Sequence, residues 1–289
     1  MSEGRASGVS VARLRGTDLD AAWGIRSTPA GRESARDALL RRCRMFALRM
    51  PPAAVFSHST AALLLGAPLP LREELAPELH IAVPPPHRAP HARGIRGHRL
   101  SLVSGDIREC NGLRQTTPAR TWCDLATQLE LLDLVAMGDF LLHGPYPLAT
   151  RDELAVMVAR FKGLRGCALL AEALPLLDGQ AESPPESHLR VILVRAGLPP
   201  SRINHEIVMT DGGTDVRTDL HFDVANVHVE YQGDYHRSRH QWRRDMTRRT
   251  RLEARGGHVL EINADDLRDP GELVDRVRML LHRRAGTAQ

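Results

Sequence analysis

The sequence predicts an α/β protein in two parts, an N-terminal half with winged-helix-like order followed by helices, and a C-terminal half in the order αβββαβα. Three observations carry this expectation. Good helix formers and apolar runs fill 33–50 and 131–142, residues alternate with period two in VRTDLHFDV and VHVEYQ, and GQAESPPES at 179–187 separates the two regimes.

At 289 residues the chain is long enough for two cores. Aromatic residues make up 4%, so Leu, Val and Ala must supply most of the packing. The formal charge is +4 and the pI about 9.2, but Lys162 is the only lysine. Such an arginine bias is what a GC-rich genome produces, so the clustering of basic residues says more than their total. Cys43, Cys110, Cys123 and Cys167 form no CxxC pair and have no neighbouring histidine at zinc-finger spacing, which argues for buried free thiols in a reducing compartment. The N-terminus has no apolar signal-peptide core, and AALLLGAPLPL is interrupted by Gly66, Pro68 and Pro70. A soluble cytoplasmic protein with no membrane partner is expected.

From the N-terminus, helix formers run from Glu33 to Met50 and stop at Pro51-Pro52. Ser57 is placed to cap a short helix that Gly66 terminates. LHIAV at 79–83 and IRGHRLSLV at 95–103 have strand character and flank the loop PPPHRAPH. Two helices followed by a β ribbon resemble a winged helix, which assigns 1–115 to that region and 116–178 to a helical region. In the latter, Thr117 or Thr121 can cap PARTWCDLATQL, Leu131–Leu142 is strongly apolar, and RDELAVMVARF follows a Thr150 cap.

The linker is placed at 179–185. Beyond it, Glu186–Ala196 reads as a helix with Leu189, Ile192 and Leu193 on one face and Gly197 as its stop. HEIVMT, VRTDLHFDV and VHVEYQ read as three strands, a basic helix covers about Ser238–Arg255, HVLEIN is a fourth strand, and a last helix covers about Pro270–Arg284.

Strand alternation places Val227, Val229 and Tyr231 on one face and His228, Glu230 and Gln232 on the other. Asp219 lies on the polar face of the preceding strand. A hairpin through Val224-Ala225-Asn226 with partner numbers summing to 449 sets Asp219 opposite Glu230, and a sum of 451 sets it opposite Gln232. Facing carboxylates repel. They are either solvated, or they hold a hard divalent cation such as Mg²⁺ together with a phosphate. Residues 233–256 hold eight arginines, of which Arg244, Arg248, Arg251 and Arg255 fall at helical spacing as a positive stripe suited to a phosphate backbone.

SPPESHLR, TDLHFD, VEYQGDYHR, QWRRDMTRRTRLEARGGHVLEIN and DDL, taken together over 183–289, resemble the DUF559 domain, a relative of the very-short-patch-repair endonucleases in the PD-(D/E)XK nuclease superfamily. The resemblance implies a restriction-endonuclease-like core over 186–289. It assigns the metal to Asp219 and Glu230, with Mg²⁺ the expected ion and Mn²⁺ a substitute, and makes Glu186 a further acidic contributor. It sets Gln232 where the superfamily usually has lysine and matches His236 to a histidine acting at the scissile phosphate. Asp245 and Arg248 match a paired motif on the helix, with Asp245 structural. His240 and Trp242 carry no expected role beyond a solvated position and core packing.

VFSHSTAALLLG, LHIAV and GLRQTTPARTWCDLA resemble the AbiEi-type antitoxins of type IV toxin–antitoxin systems, over about 35–178. That family implies DNA binding through a winged helix, repression of its own operon and an operon partner protein. Ser57, His58 and Arg72 are the corresponding phosphate contacts, against a plain capping role for Ser57 and a packed His58.

Two functions follow as expectations. One is a metal-dependent DNA nuclease in defence or repair. The other is a non-catalytic DNA-binding regulator whose nuclease fold has degenerated, which Gln232 and the missing lysine favour. Nothing in the sequence separates DNA from RNA as the target.

Overall fold

The computed structural model describes residues 8–15, 20–27, 31–76, 78–207, 216–233 and 239–286, with the backbone alone for 14, 20–22 and 239–245. It is mixed α/β and divides into two units, Met1–Thr127 and Gln128–Gln289.

The first unit opens with a short helix, α1 (Val11–Leu14), and an antiparallel pair, β1 (Asp20–Ala22) and β2 (Ile25–Ser27). Helix α2 (Ala35–Ala47) starts where Ser34 Oγ accepts from Asp37 N–H, and it ends a few residues before the expected Met50. Next come β3 (Val55–Phe56), α3 (His58–Leu65), α4 (Leu71–Glu74), β4 (Leu79–Val83), β5 (Ile95–Arg99), β6 (Ile107–Cys110), β7 (Leu113–Thr116) and α5 (Pro118–Leu125). Gly66, at φ 80°, ends α3 as expected, whereas Ser57 occupies the N-cap position without a side-chain cap bond.

The five strands form one sheet in the order β5-β4-β3-β7-β6. Here the structure corrects the expected β ribbon. Strands β4 and β5 run parallel, with Leu79 opposite Ile95 and Val83 opposite Arg99, so PPPHRAPH is a crossover and not a hairpin turn. The hairpin of this sheet is instead β6–β7, turned by Asn111 and Gly112 at φ 51° and 74°. Asn-Gly is the pair that such a turn demands, and this signal was missed in the sequence. The core consists of residues such as Cys43, Phe46, Phe56, Leu79, Ile81 and Val83. Burial pushes the Cys43 thiol up to about 12, as suits an inert core cysteine. Cys123 is buried too, while Cys110 and Cys167 are only partly so.

The second unit begins with α6 (Leu131–Leu142), α7 (Arg151–Arg160), α8 (Cys167–Leu176) and α9 (Pro184–Arg195). Thr150 and Glu153 cap the start of α7 reciprocally. The division after Thr127 places 128–178 with the C-terminal sheet and not with a separate helical region. A buried carboxylate joins α6 to α9. Asp139 of α6 accepts from Ser187 Oγ and Arg190 Nη2 of α9, both at 2.7 Å, and from the Asp178 N–H at 2.6 Å. The segment expected as a linker is likewise tied down, since Asn204 Nδ2 donates to Gln180 O at 2.6 Å.

After α9 come β8 (Arg202–Ile207), β9 (Val216–Phe222), β10 (Val227–Tyr231), α10 (Arg239–Ala254), β11 (His258–Ile262), α11 (Ala264–Arg268) and α12 (Pro270–Ala285). This matches the expected αβββαβα order, with α11 as a short addition. The sheet order is β11-β10-β9-β8; β10 is antiparallel to β9 and parallel to β11. Leu189, Ile192 and Leu193 of α9 pack with Leu220, Phe222, Val227 and Val229 on one face, together with Leu273, Val277 and Leu281 of α12. On the other face Leu252 of α10 packs with Val259. Among the described residues no helix is long and apolar enough to cross a membrane.

Replacing Asp139 by Ala leaves the buried Arg190 guanidinium without its carboxylate. The expected loss is about 3–5 kcal/mol of folding stability, measurable by urea unfolding of the full chain.

Candidate active site

The β9–β10 hairpin brings the two expected carboxylates together. Its pairs are Val227 with Phe222, His228 with His221 and Val229 with Leu220, so partner numbers sum to 449. Continuing that register by one position sets Asp219 across from Glu230. A 3₁₀ turn at Asp223–Ala225 and a left-handed Asn226, φ 48°, make the connection. Beyond the last ladder pair, Asp219 Oδ2 accepts from the Tyr231 N–H at 2.7 Å, which fixes the carboxylate at the end of the hairpin.

Alternation also holds, but the polar face is not solvated. His228 pairs with Val259 and Glu230 with Glu261 on β11, and α10 covers this side of the sheet through Leu252. Glu230 is 5% exposed and His228 2%. Glu230 Oε2 accepts from Arg248 Nη2 at 2.6 Å, while the buried Oε1 finds no hydrogen-bond partner among the described residues. An unsatisfied oxygen in this setting costs about 1–3 kcal/mol or more. Burial pushes the Glu230 carboxyl up to about 7, against the pull of Arg248 and with help from Asp219 and Glu261. Burial also raises Asp219, opposed by the Tyr231 N–H and reinforced by Glu186.

Glu186 is largely occupied by helix capping. Its Oε1 accepts from Ser183 Oγ at 2.7 Å, and its Oε2 from the Glu182 N–H at 2.9 Å and Asn204 Nδ2 at 3.0 Å. Glu186, Asp219 and Glu230 do not bring three donor oxygens within 4.8 Å of one another, so the site is a carboxylate pair with a nearby third charge. Gln232 is half-buried, and its backbone N–H donates to Ile262 O at 2.6 Å, closing the last pair of the parallel ladder, Tyr231 with Ile262. Asn204 of β8 and the ion pair of Arg217 in β9 with Glu182 at 2.5 Å complete the surroundings; neither was foreseen, because only the folded approach of β8 and β9 to the start of α9 brings them near.

The expected arginine stripe is corrected in part. Arg248 turns inward to Glu230, and Arg249 is held by Glu253 at 2.9 Å and Glu261 at 3.8 Å. Arg251 is exposed on the helix, and Arg255 is exposed just beyond its end. The side chains of Arg244, His240, Trp242 and Asp245 lie outside the described residues, and so does the whole of His236.

Comparison with known proteins adds a relative without a described activity. The chain is similar to an uncharacterized protein of Mycobacterium tuberculosis. In strain H37Rv this is Rv2248 and in strain CDC 1551 it is MT2308; each is 32% identical over 189 residues. The match covers 65% of this chain and 66%, just under two thirds, of each relative's length. No family model matches the chain, and no solved structure matches it.

The raised Glu230 carboxyl has a thermodynamic consequence. Its ordinary value is 4.5 and its folded value about 7, so between these the folded state holds a proton that the unfolded chain has released. Stability therefore falls as pH rises through that window. In metal-free buffer, Glu230→Gln is expected to gain up to about 3 kcal/mol relative to wild type on going from about pH 4 to pH 8, read from paired urea titrations.

Proposed function

We propose that the chain is a metal-dependent nuclease acting on DNA, with a restriction-endonuclease-like C-terminal core of DUF559 type. The observation that carries this proposal is Glu230 Oε1, a buried carboxylate oxygen without a partner, on the strand position facing Asp219. Two desolvated carboxylates with one orphaned oxygen suit a hard cation better than any neutral partner. Asp219 and Glu230 would hold Mg²⁺ or Mn²⁺, and the bound ion would supply an activated water and stabilise charge on the phosphate under attack.

The chain's own groups have separable tasks. The Tyr231 N–H fixes Asp219, and Arg248 fixes Glu230, so neither carboxylate has to reorganise to receive a cation. Glu186 adds negative charge from the start of α9. Gln232 can donate to a phosphate or orient a water, but it brings no positive charge. His236 is assigned proton transfer on the family resemblance. Arg251 and Arg255 supply cations for the phosphate backbone, with Arg244 assigned the same role from its spacing. The resemblance to AbiEi-type antitoxins assigns the first unit to DNA or operon-partner binding.

A non-catalytic DNA-binding regulator is the alternative, favoured by the Arg248–Glu230 ion pair together with Gln232 in the lysine position. In that case arginine permanently supplies the positive charge that the metal would otherwise bring. RNA in place of DNA is a third outcome of the same assays.

Plasmid DNA incubated with the full chain and Mg²⁺ or Mn²⁺ should be nicked, and Asp219→Ala or Glu230→Ala should abolish nicking. Metal-dependent nicking absent from wild type, or surviving both substitutions, overturns the nuclease proposal. Independently of cleavage, Arg251→Ala and Arg255→Ala together should reduce the slope of log affinity against log salt by about one to two, as measured by fluorescence anisotropy. An unchanged slope removes these arginines from the interface.

A further inference from the structure

The first unit contains a group of side chains that none of the proposed chemistry uses. His58 is the first residue of α3, His80 lies in β4 and His98 in β5. One donor atom from each of the three lies within 4.8 Å of the other two, and among the described residues no other group of three or more His, Cys, Asp or Glu converges in this way. His58 is 4% exposed, His80 2%, and His98 is half-buried.

The geometry points to a binding site for a transition-metal dication of the Zn²⁺ class, held by one ring nitrogen each of His58, His80 and His98 with a fourth position left for water or another ligand.

Four observations support it. His98 Nε2 and His80 Nδ1 face each other at 3.2 Å. A tetrahedral centre with metal–nitrogen bonds of about 2.0–2.1 Å requires ligand nitrogens about 3.3–3.4 Å apart, so one edge of the polyhedron is already at length. Second, the His58 and His98 rings stack at 3.8 Å with planes 20° apart, which sets His58 beside the His80–His98 pair; ligation requires the two rings to turn out of this stack so that their in-plane lone pairs converge. Third, Ser57 Oγ lies 3.0 Å from His58 Nδ1, the kind of outer contact that fixes a ligand's orientation. Fourth, His58 adopts φ 49°, a left-handed backbone that a β-carbon disfavours and that carries its ring into the cluster at the start of a helix.

The surroundings suit neutral nitrogen donors. Burial, reinforced by the His98 imidazole and Arg96, pushes His80 to about 3; burial and Arg96 push His98 to about 4. Burial and the two other rings carry His58 well below its usual range. All three rings are therefore neutral, the protonation state in which an imidazole can ligate a metal. Arg120, the other cation close by, is neutralised by Asp106 at 3.1 Å and Asp124 at 2.9 Å, which reduces its repulsion of an incoming dication. Imidazole-only ligation selects zinc, copper, nickel or iron over Mg²⁺, so this site and the carboxylate pair would take different ions. The sequence separation of the three histidines hides the site from motif reading, since no two of them are closer than 18 residues.

The test uses EDTA-treated full-length chain titrated with ZnCl₂ and CoCl₂. One equivalent of Zn²⁺ should bind by calorimetry, and Co²⁺ should give the intense visible absorption of a tetrahedral site. His98→Gln, at the half-exposed position, should lose the site while circular dichroism shows the fold retained. His98→Cys should keep it and add a thiolate-to-cobalt charge-transfer band, which a merely structural histidine would not produce. Asp219→Ala with Glu230→Ala should leave Zn²⁺ binding unchanged, which separates this result from the fate of the nuclease proposal. Absence of stoichiometric binding, or a cobalt spectrum indifferent to both His98 substitutions, overturns the assignment.

Discussion

The burial of β10 on both faces is the constraint from which the second unit follows. One face of the strand is packed with α9 and α12, the other is covered by α10, and its edges are taken by β9 and β11. An ionisable residue on such a strand has no water to fall back on. Glu230 therefore has to be answered from within the protein, and Arg248 on the covering helix supplies the answer at 2.6 Å. Because a single guanidinium nitrogen reaches only one oxygen, the compensation is incomplete. A half-compensated buried carboxylate is more costly than an apolar residue of similar size, so its presence calls for a purpose other than stability.

The neighbouring acids add to the same imbalance. Asp219 is held by a backbone N–H, and Glu186 by the start of its own helix, leaving Arg248 and the more exposed Arg217 as the cations that counter Asp219. The local charge is thus negative at the end of the hairpin and positive along the exposed end of α10. The first unit is different in kind. Among the described residues its buried charged groups form an ion-pair triad, Asp106–Arg120–Asp124, beside neutral imidazoles and the un-ionised Cys43 thiol. Hard oxygen donors in one unit and borderline nitrogen donors in the other are chemically independent, and neither set substitutes for the other.

Several expectations were legible because they depend only on local physics. Period-two alternation identified β9 and β10, and one of two candidate registers is the one adopted, since the turn at 223–226 fixes the count. Capping and stop signals at Gly66, Thr150 and Gly197 mark helix ends because backbone groups there need partners or left-handed φ whatever the tertiary context. The Asn111-Gly112 hairpin was equally local and simply overlooked. By contrast, the parallel pairing of β4 with β5 could not be read from strand character, which is the same for both directions.

What the sequence determined alone was therefore the α/β class, the αβββαβα order and the placing of Asp219 on the polar face shared with Glu230 and Gln232, all consequences of side-chain periodicity. The tertiary structure decided which of these residues meet water. It buried the polar face of β10 under α10, turned Arg248 inward from the expected stripe, tied 128–178 to the C-terminal sheet through Asp139, and gathered three histidines from separate elements. Each of these depends on contacts between elements distant along the chain. Burial and charge compensation arise only from such contacts, and no window of sequence contains them.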